Sequence, residues 1–216
     1  DRVEKCQKNK SITSFAMLNR KIYSYLRNFF KNEKKALLVE GARQVGKTYA
    51  IRKTGSECFK NVVEINFINQ PKFREAFSVP SDAKNILLRL SALANTTLEP
   101  GNTLIFFDEV QECPEIVTAI KFLVDEGSYR YVMSGSLLGV ELKDIRSVPV
   151  GYLTEKPMFP LDLEEFAEAV GMSKEVMNHV RVCYEEKKAV DEVIHEKMND
   201  LVRLYLVVGG MPEAVQ

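Results

Sequence analysis

The chain has no tryptophan, two histidines and four cysteines in 216 residues. Cys6, Cys58, Cys113 and Cys183 are far apart, and no pair has the short spacing of a metal-ligand set. Free thiols in a reducing compartment are the expectation. His179 and His195 lie in charged stretches of helical pattern, where a solvated side chain is the plain reading. Net charge is absent too, because Lys plus Arg and Asp plus Glu both number 30. That balance gives no global electrostatic case for nucleic acid or an anionic membrane as partner. No apolar run approaches the ~18 residues of a membrane-spanning helix. Asp1–Lys10 is polar, without the apolar centre of a secretory leader, and the missing initiator methionine is read as a trimmed N-terminus. A cytoplasmic protein is expected.

What is present is ordinary for a globular chain: 45% hydrophobic and 28% charged residues. The length accommodates one large α/β domain and a small appendage. Phe15, Leu18, Ile22, Tyr25, Leu26 and Phe29 recur at helical spacing behind Ser14 as cap. Short apolar strands are expected at Ala36–Glu40, Val62–Asn66, Thr103–Phe107, Tyr131–Met133 and Val150–Met158. Helices are expected at Gly46–Arg52, at Asp82–Ala94 with Ile86, Leu87, Leu90 and Leu93 on one face, and at Pro114–Asp125. From Asp162 onward the pattern is helical, over Asp162–Val170, Lys174–Lys187 and Val190–Val208, with Pro212 opening another helix after Gly209-Gly210. Strands alternating with helices predict a doubly wound parallel sheet whose ligands sit at the carboxyl ends of the strands. The division expected is 1–160 for the α/β domain with its N-terminal helix, and 161–216 for a helical lid or the start of a truncated C-terminal region.

Three of those strand ends carry candidate chemistry. Gly41-Ala42-Arg43-Gln44-Val45-Gly46-Lys47-Thr48, followed by Tyr49, matches G-x-x-x-x-G-K-[ST] between an apolar strand and a helix. A chain this long matches that pattern by chance about 1% of the time, and the strand–loop–helix context lowers the odds further. The two glycines permit torsions that turn backbone N–H groups toward phosphate oxygens, and the following helix presents its positive end to the same anion. Lys47 would neutralise the β- and γ-phosphates of ATP, and the Thr48 hydroxyl would ligate Mg²⁺. The second strand end is Leu104-Ile105-Phe106-Phe107-Asp108-Glu109, an apolar run delivering two carboxylates. Asp108 would hold Mg²⁺ and Glu109 would polarise an attacking water. A base beside the metal aspartate suits hydrolysis better than transfer to an acceptor hydroxyl.

The third end is Tyr131-Val132-Met133-Ser134-Gly135-Ser136, where Ser134 is a candidate γ-phosphate or water contact, or simply part of a serine–glycine turn. Arg146 follows, a candidate arginine finger for a neighbouring subunit, with a solvated arginine as the plainer alternative.

Together these segments resemble the prokaryotic AAA-domain ATPases that carry a C-terminal domain of unknown function. The resemblance rests on GARQVGKT (Gly41–Thr48), Asp108-Glu109-Val110-Gln111-Glu112-Cys113-Pro114, SGSLLG (Ser134–Gly139), VPVG (Val148–Gly151), PLDLEEF (Pro160–Phe166) and VGGMPEAV (Val208–Val215), with Arg20-Lys21-Ile22 near the start. It covers nearly the whole chain. It implies a P-loop NTPase of AAA type with a five-stranded parallel sheet in order 5-1-4-3-2, the Walker A and Walker B segments being those just described. It also implies ATP and Mg²⁺ as cofactors, Ser134 as sensor, Arg146 as a trans finger in a homo-oligomer, and a further restriction-nuclease-like domain that lies outside this sequence. Tyr152 departs from the family, which often has a basic residue after the glycine of VPVG.

The resulting expectation is hydrolysis of Mg·ATP to ADP and phosphate, coupled to a conformational change in a C-terminal domain or an unknown protein partner. A nucleotide-dependent switch with negligible turnover is the alternative. A P-loop small-molecule kinase needs an arginine-rich lid, for which Arg130 and Arg146 are too few and too scattered.

Overall fold

The computed structural model describes residues 18–78, 82–94, 97–136 and 151–215. They form two compact units, one of residues 22–159 and one of residues 160–215 together with 18–21.

The larger unit runs α1 (Lys21–Asn32, whose first residue counts with the smaller unit), β1 (Ala36–Glu40), α2 (Lys47–Cys58), β2 (Asn61–Asn66), a 3₁₀ turn (Pro71–Ala76), α3 (Ala83–Ala94), β3 (Thr103–Asp108), a second 3₁₀ turn (Val110–Glu112), α4 (Glu115–Glu126), β4 (Arg130–Gly135) and β5 (Leu153–Pro157). The strands make one parallel sheet in the order β2-β3-β4-β1-β5. This is the expected 5-1-4-3-2 order seen from the other edge. The central strands read as unbroken apolar runs because helices cover both faces of a parallel sheet. Every residue of β3 is buried, and so are the first four of β1. The edge strands β2 and β5 are largely half-exposed.

One face of the sheet carries a stack of aromatic rings. Phe107 lies nearly parallel to Phe67 (centroids 6.1 Å, 9°) and to Tyr131 (6.4 Å, 5°), and Phe77 meets it edge-on at 5.8 Å. Ile86, Leu87 and Leu90 of α3 and Ile116, Ile120 and Leu123 of α4 complete that core. Leu93, expected on the same stripe as the other α3 residues, is instead 38% exposed. The stripe passes from Leu90 to Ala94 instead, and it is Ala94 that packs against this core in the final turn.

The N-terminal helix corrects the sequence reading. It begins at Lys21, and Leu18 precedes it and packs with the apolar core of the smaller unit. The local periodicity could not show this, because the start is set by a distant residue. The Lys21 backbone N–H donates to Glu165 Oε1 at 2.7 Å, so a carboxylate 144 residues away satisfies a first-turn donor. Ser14 and Phe15 lie outside the described residues.

The smaller unit contains α5 (Leu163–Ala169), α6 (Lys174–Glu185), α7 (Glu192–Val208) and the short α8 (Pro212–Val215). Its core is Leu161, Phe166, Ala167 and Leu201, with Phe166 edge-on to Tyr205. Asp162 and Glu165 form a reciprocal capping box at the start of α5. Glu165 also accepts from the buried Arg20 Nε at 3.1 Å. Leu161 and Gly210 pack so closely that a β-carbon on Gly210 would stand 2.2 Å from the Leu161 carbonyl oxygen. None of the described helices is long and apolar enough to cross a membrane.

Candidate functional site

At the carboxyl end of β1 the chain makes the turn that the glycines foretold. Gly41 has φ +155°, and a β-carbon there would stand 2.2 Å from the Met158 carbonyl oxygen, so only glycine fits. Met158 is held there by its own N–H, which donates to Glu40 O at 2.7 Å. Gln44 (φ +65°) and Gly46 (φ +95°) are also left-handed. Such alternation curves successive peptide units into the concave form that receives anions. Gly46 is the N-cap of α2 and no side chain caps that end, so the first-turn N–H groups are left for a ligand. Ala42, Arg43 and Gln44 are exposed, Val45 is buried beneath them, and Tyr49 is 53% exposed on the first turn of α2.

Lys47 lies folded into this loop. Its Nζ donates to the carbonyls of Gly41 (2.8 Å) and Ala42 (2.7 Å), with only 8% of the residue exposed. Burial pushes its ammonium below the ordinary lysine range; Glu109 and Asp108 oppose that shift, and Arg43 adds to it. An ammonium short of hydration, with acids close by, is poised to exchange carbonyl contacts for a phosphate.

Thr48, the next residue, reaches across to β3. Its hydroxyl is 3.3 Å from both oxygens of Asp108, which is buried at the strand end. Asp108 also accepts from Ser134 Oγ at the end of β4 and, at 3.0 Å, from Asn66 Nδ2 at the end of β2. Asn66 is held for this role, since its Oδ1 accepts from the N–H groups of Ile68 (3.1 Å) and Asn69 (2.9 Å) in an Asx turn. Glu109 leaves the strand in a left-handed conformation (φ +58°, ψ +51°), so its side chain departs in a different direction. Its Oε2 accepts from Gln111 Nε2 at 2.5 Å.

The donor set suits a magnesium ion shared with phosphates. One carboxylate and one hydroxyl converge, and a small hard cation is commonly held by few protein oxygens together with phosphate and water. Among the described residues no group of three or more His, Cys, Asp or Glu could hold a metal. A dedicated all-protein metal cage therefore finds no support there.

The structure thus brings Lys47, Thr48, Asp108, Glu109 and Ser134 to one end of the sheet. Arg146 lies outside the described residues. Tyr152 is at the opposite end: its carbonyl accepts from the Ala36 N–H at the start of β1 (2.9 Å), and its ring faces Lys121. Tyr152 is therefore remote from the Gly41–Thr48 loop. Sequence reasoning missed Asn66, Gln111 and Met158. Asn66 was findable as an amide at a strand's carboxyl end, and Gln111 as a polar side chain two residues after the second acid.

A family model described as AAA domain matches residues 33–167. No curated protein matches the chain. Among solved structures, C. elegans PCH-2 superposes with a TM-score of 0.50 at 12% identity, over 90% of this chain and 59% of that one. The replication initiator DnaA bound to AMPPCP and single-stranded DNA gives 0.52 at 12% identity, over 92% and 59%. At such identities the likeness is one of fold alone. The chain spans about three-fifths of the length of these structures.

Proposed function

The chain belongs to the AAA-domain family of P-loop ATPases, and from that premise we propose that it binds Mg·ATP at Gly41–Thr48 and hydrolyses it to ADP and phosphate. The observation that carries the proposal is the convergence of the Thr48 hydroxyl on Asp108, beside a lysine folded into a left-handed glycine loop. Backbone torsion, a helix end and a buried cation favour a polyphosphate; the oxygen pair favours its magnesium.

Each residue then has a role. Lys47 neutralises the β- and γ-phosphates. Thr48 and Asp108 would hold the metal, which would supply positive charge against that of the phosphates. Asn66 keeps Asp108 turned toward Thr48. Glu109 orients and polarises the attacking water. Ser134, whose hydroxyl rests on Asp108, reports the state of that carboxylate along β4. Arg146 serves a neighbouring copy's nucleotide in a homo-oligomer.

The motif resemblance supports coupling of this cycle to a further domain of restriction-nuclease-like fold, or to a protein partner, in a prokaryotic cytoplasm. The free thiols of Cys58, Cys113 and Cys183 accord with a reducing compartment. The DnaA structure contains single-stranded DNA, but the balanced charge of this chain gives no support for a nucleic-acid partner.

The experiment is phosphate release and, by calorimetry, ATP affinity, each with and without Mg²⁺, for the wild type and Asp108→Asn. The proposal requires metal-dependent turnover in the wild type and loss of the metal dependence of ATP affinity in the variant. Metal-independent affinity in both would reject the assignment of Thr48 and Asp108.

A further inference from the structure

Past Glu109 the chain does not simply leave the sheet. The left-handed torsion at Glu109 folds it into the 3₁₀ turn Val110–Glu112, closed by the Glu112 N–H donating to Glu109 O at 3.0 Å. That turn is tied down from outside. Arg74 Nη2 donates to Glu112 Oε2 (2.9 Å) and to Phe67 O (3.1 Å), linking it to the segment that follows β2. The consequence is that Gln111 folds back over the carboxylate two residues before it.

The Gln111 amide is engaged on one side only. Nε2 donates to Glu109 Oε2 at 2.5 Å and stands 3.5 Å from Ser136 Oγ, just past β4. The nitrogen must be the atom facing the carboxylate, because an amide oxygen there would be repelled. Oε1 is then buried without a hydrogen-bond partner among the described residues. A buried amide oxygen lacking a donor is costly, so Oε1 is an open acceptor for a donor such as a water.

We propose that Gln111 is a catalytic residue of the hydrolytic step, forming with Glu109 a two-point holder for the attacking water. This rests on the assignment of Glu109 as the base. Gln111 Nε2 fixes one oxygen of Glu109 and leaves the other to accept one hydrogen of the water. Gln111 Oε1 accepts the second hydrogen. With both hydrogens directed, the lone pairs of the water point at the γ-phosphorus, so that attack makes a P–O bond as the bond to ADP breaks. The proton released passes to Glu109. Glutamine has the right chemistry for this place: its amide donates to an acid and accepts from water at once, and it carries no charge that would compete for the metal.

The test uses Gln111→Met, which keeps the length and loses both hydrogen-bonding groups, and Gln111→Glu, which keeps an acceptor and loses the donor. Mg·ATP affinity is read by calorimetry and kcat by phosphate release, each variant alone and Gln111→Met also in the Glu109→Gln background. Expected are affinities within about twofold of wild type, kcat lower by roughly 10–100-fold in both single variants, and little further loss when Gln111→Met is added to Glu109→Gln, since the two groups act on one water. Full turnover by Gln111→Met overturns the proposal. So does a loss of affinity as large as the loss of kcat, which marks a structural role, and so does a fully multiplicative loss in the double variant. Full turnover by Glu109→Gln overturns the base assignment itself and is recognised separately from failure at Gln111.

Discussion

Asn66 and Asp108 stand opposite each other in the register of β2 and β3, and the Asn66 amide donates to the Asp108 carboxylate at 3.0 Å. The same carboxylate takes the hydroxyls of Thr48 and Ser134. The Asp108 carboxylate is therefore fixed by the ends of β2 and β4 and by the first turn of α2. Preorganisation of this kind lets a site bind without first ordering its own side chains. It also sets the surroundings of the two acids apart. Asp108 is buried among donors, whereas Glu109 turns away on a left-handed residue to meet Gln111.

That separation predicts a split between binding and chemistry. Glu109→Gln preserves shape and loses the charge that polarises water. Mg·ATP affinity is expected to stay near wild type while hydrolysis falls on the order of 10²-fold. Calorimetry paired with phosphate release checks both halves. Unchanged turnover would take Glu109 out of the reaction, and lost binding would make its role structural.

The close approach of Gly41 to Met158 predicts a second effect. In Gly41→Ala the added methyl meets the Met158 carbonyl at a non-bonded distance no packing tolerates, on a backbone torsion alanine disfavours. Loss of ATP binding by at least tenfold is expected, with the loop rather than the sheet disturbed. Wild-type affinity in this variant would show that the loop is not the binding element.

The buried pair of Arg20 and Glu165 predicts where the smaller unit is vulnerable. Glu165→Ala removes the carboxylate that the buried Arg20 Nε donates to, the capping box of α5 and the acceptor for the Lys21 N–H. A loss of about 3 kcal/mol is expected from breaking such a pair. Urea denaturation followed through the helical signal measures it. A change below ~1 kcal/mol would mean that the pair contributes little beyond its own desolvation.

Assembly supplies a further prediction. With Arg146 acting on a neighbour, turnover per chain should rise with protein concentration, and Arg146→Ala should abolish that rise. A trans arginine contributes ~10³–10⁵ in rate where it is used, so dilute protein is expected to turn over well below ~1 s⁻¹. Fast hydrolysis by a monomer, indifferent to Arg146→Ala, would contradict the trans role.

How far the sequence could reveal these features depended on where each was encoded. Ala36–Glu40 was legible to the residue because a short apolar run stops at a glycine, and β3 because its apolar run stops at two acids. The phosphate loop is a contiguous motif, so its glycines and lysine announced themselves. What stayed hidden depends on contacts between distant residues. The start of α1 at Lys21 is set by Glu165, and Asn66 is paired with Asp108 only by sheet register. The 3₁₀ turns at Pro71–Ala76 and Val110–Glu112 have no apolar period to betray them, and Gln111 went unnoticed with them.

The most direct measurement is a calorimetric titration of ATP, with Mg²⁺ present, into the wild type and Lys47→Ala. Lys47 is the one cation folded onto the carbonyls of Gly41 and Ala42 among the described residues, and a triphosphate in this loop must engage it. The account predicts saturable binding to the wild type and a loss of roughly 1–3 kcal/mol or more in the variant, the usual worth of a charge-assisted contact. Equal affinities in the two proteins would contradict it.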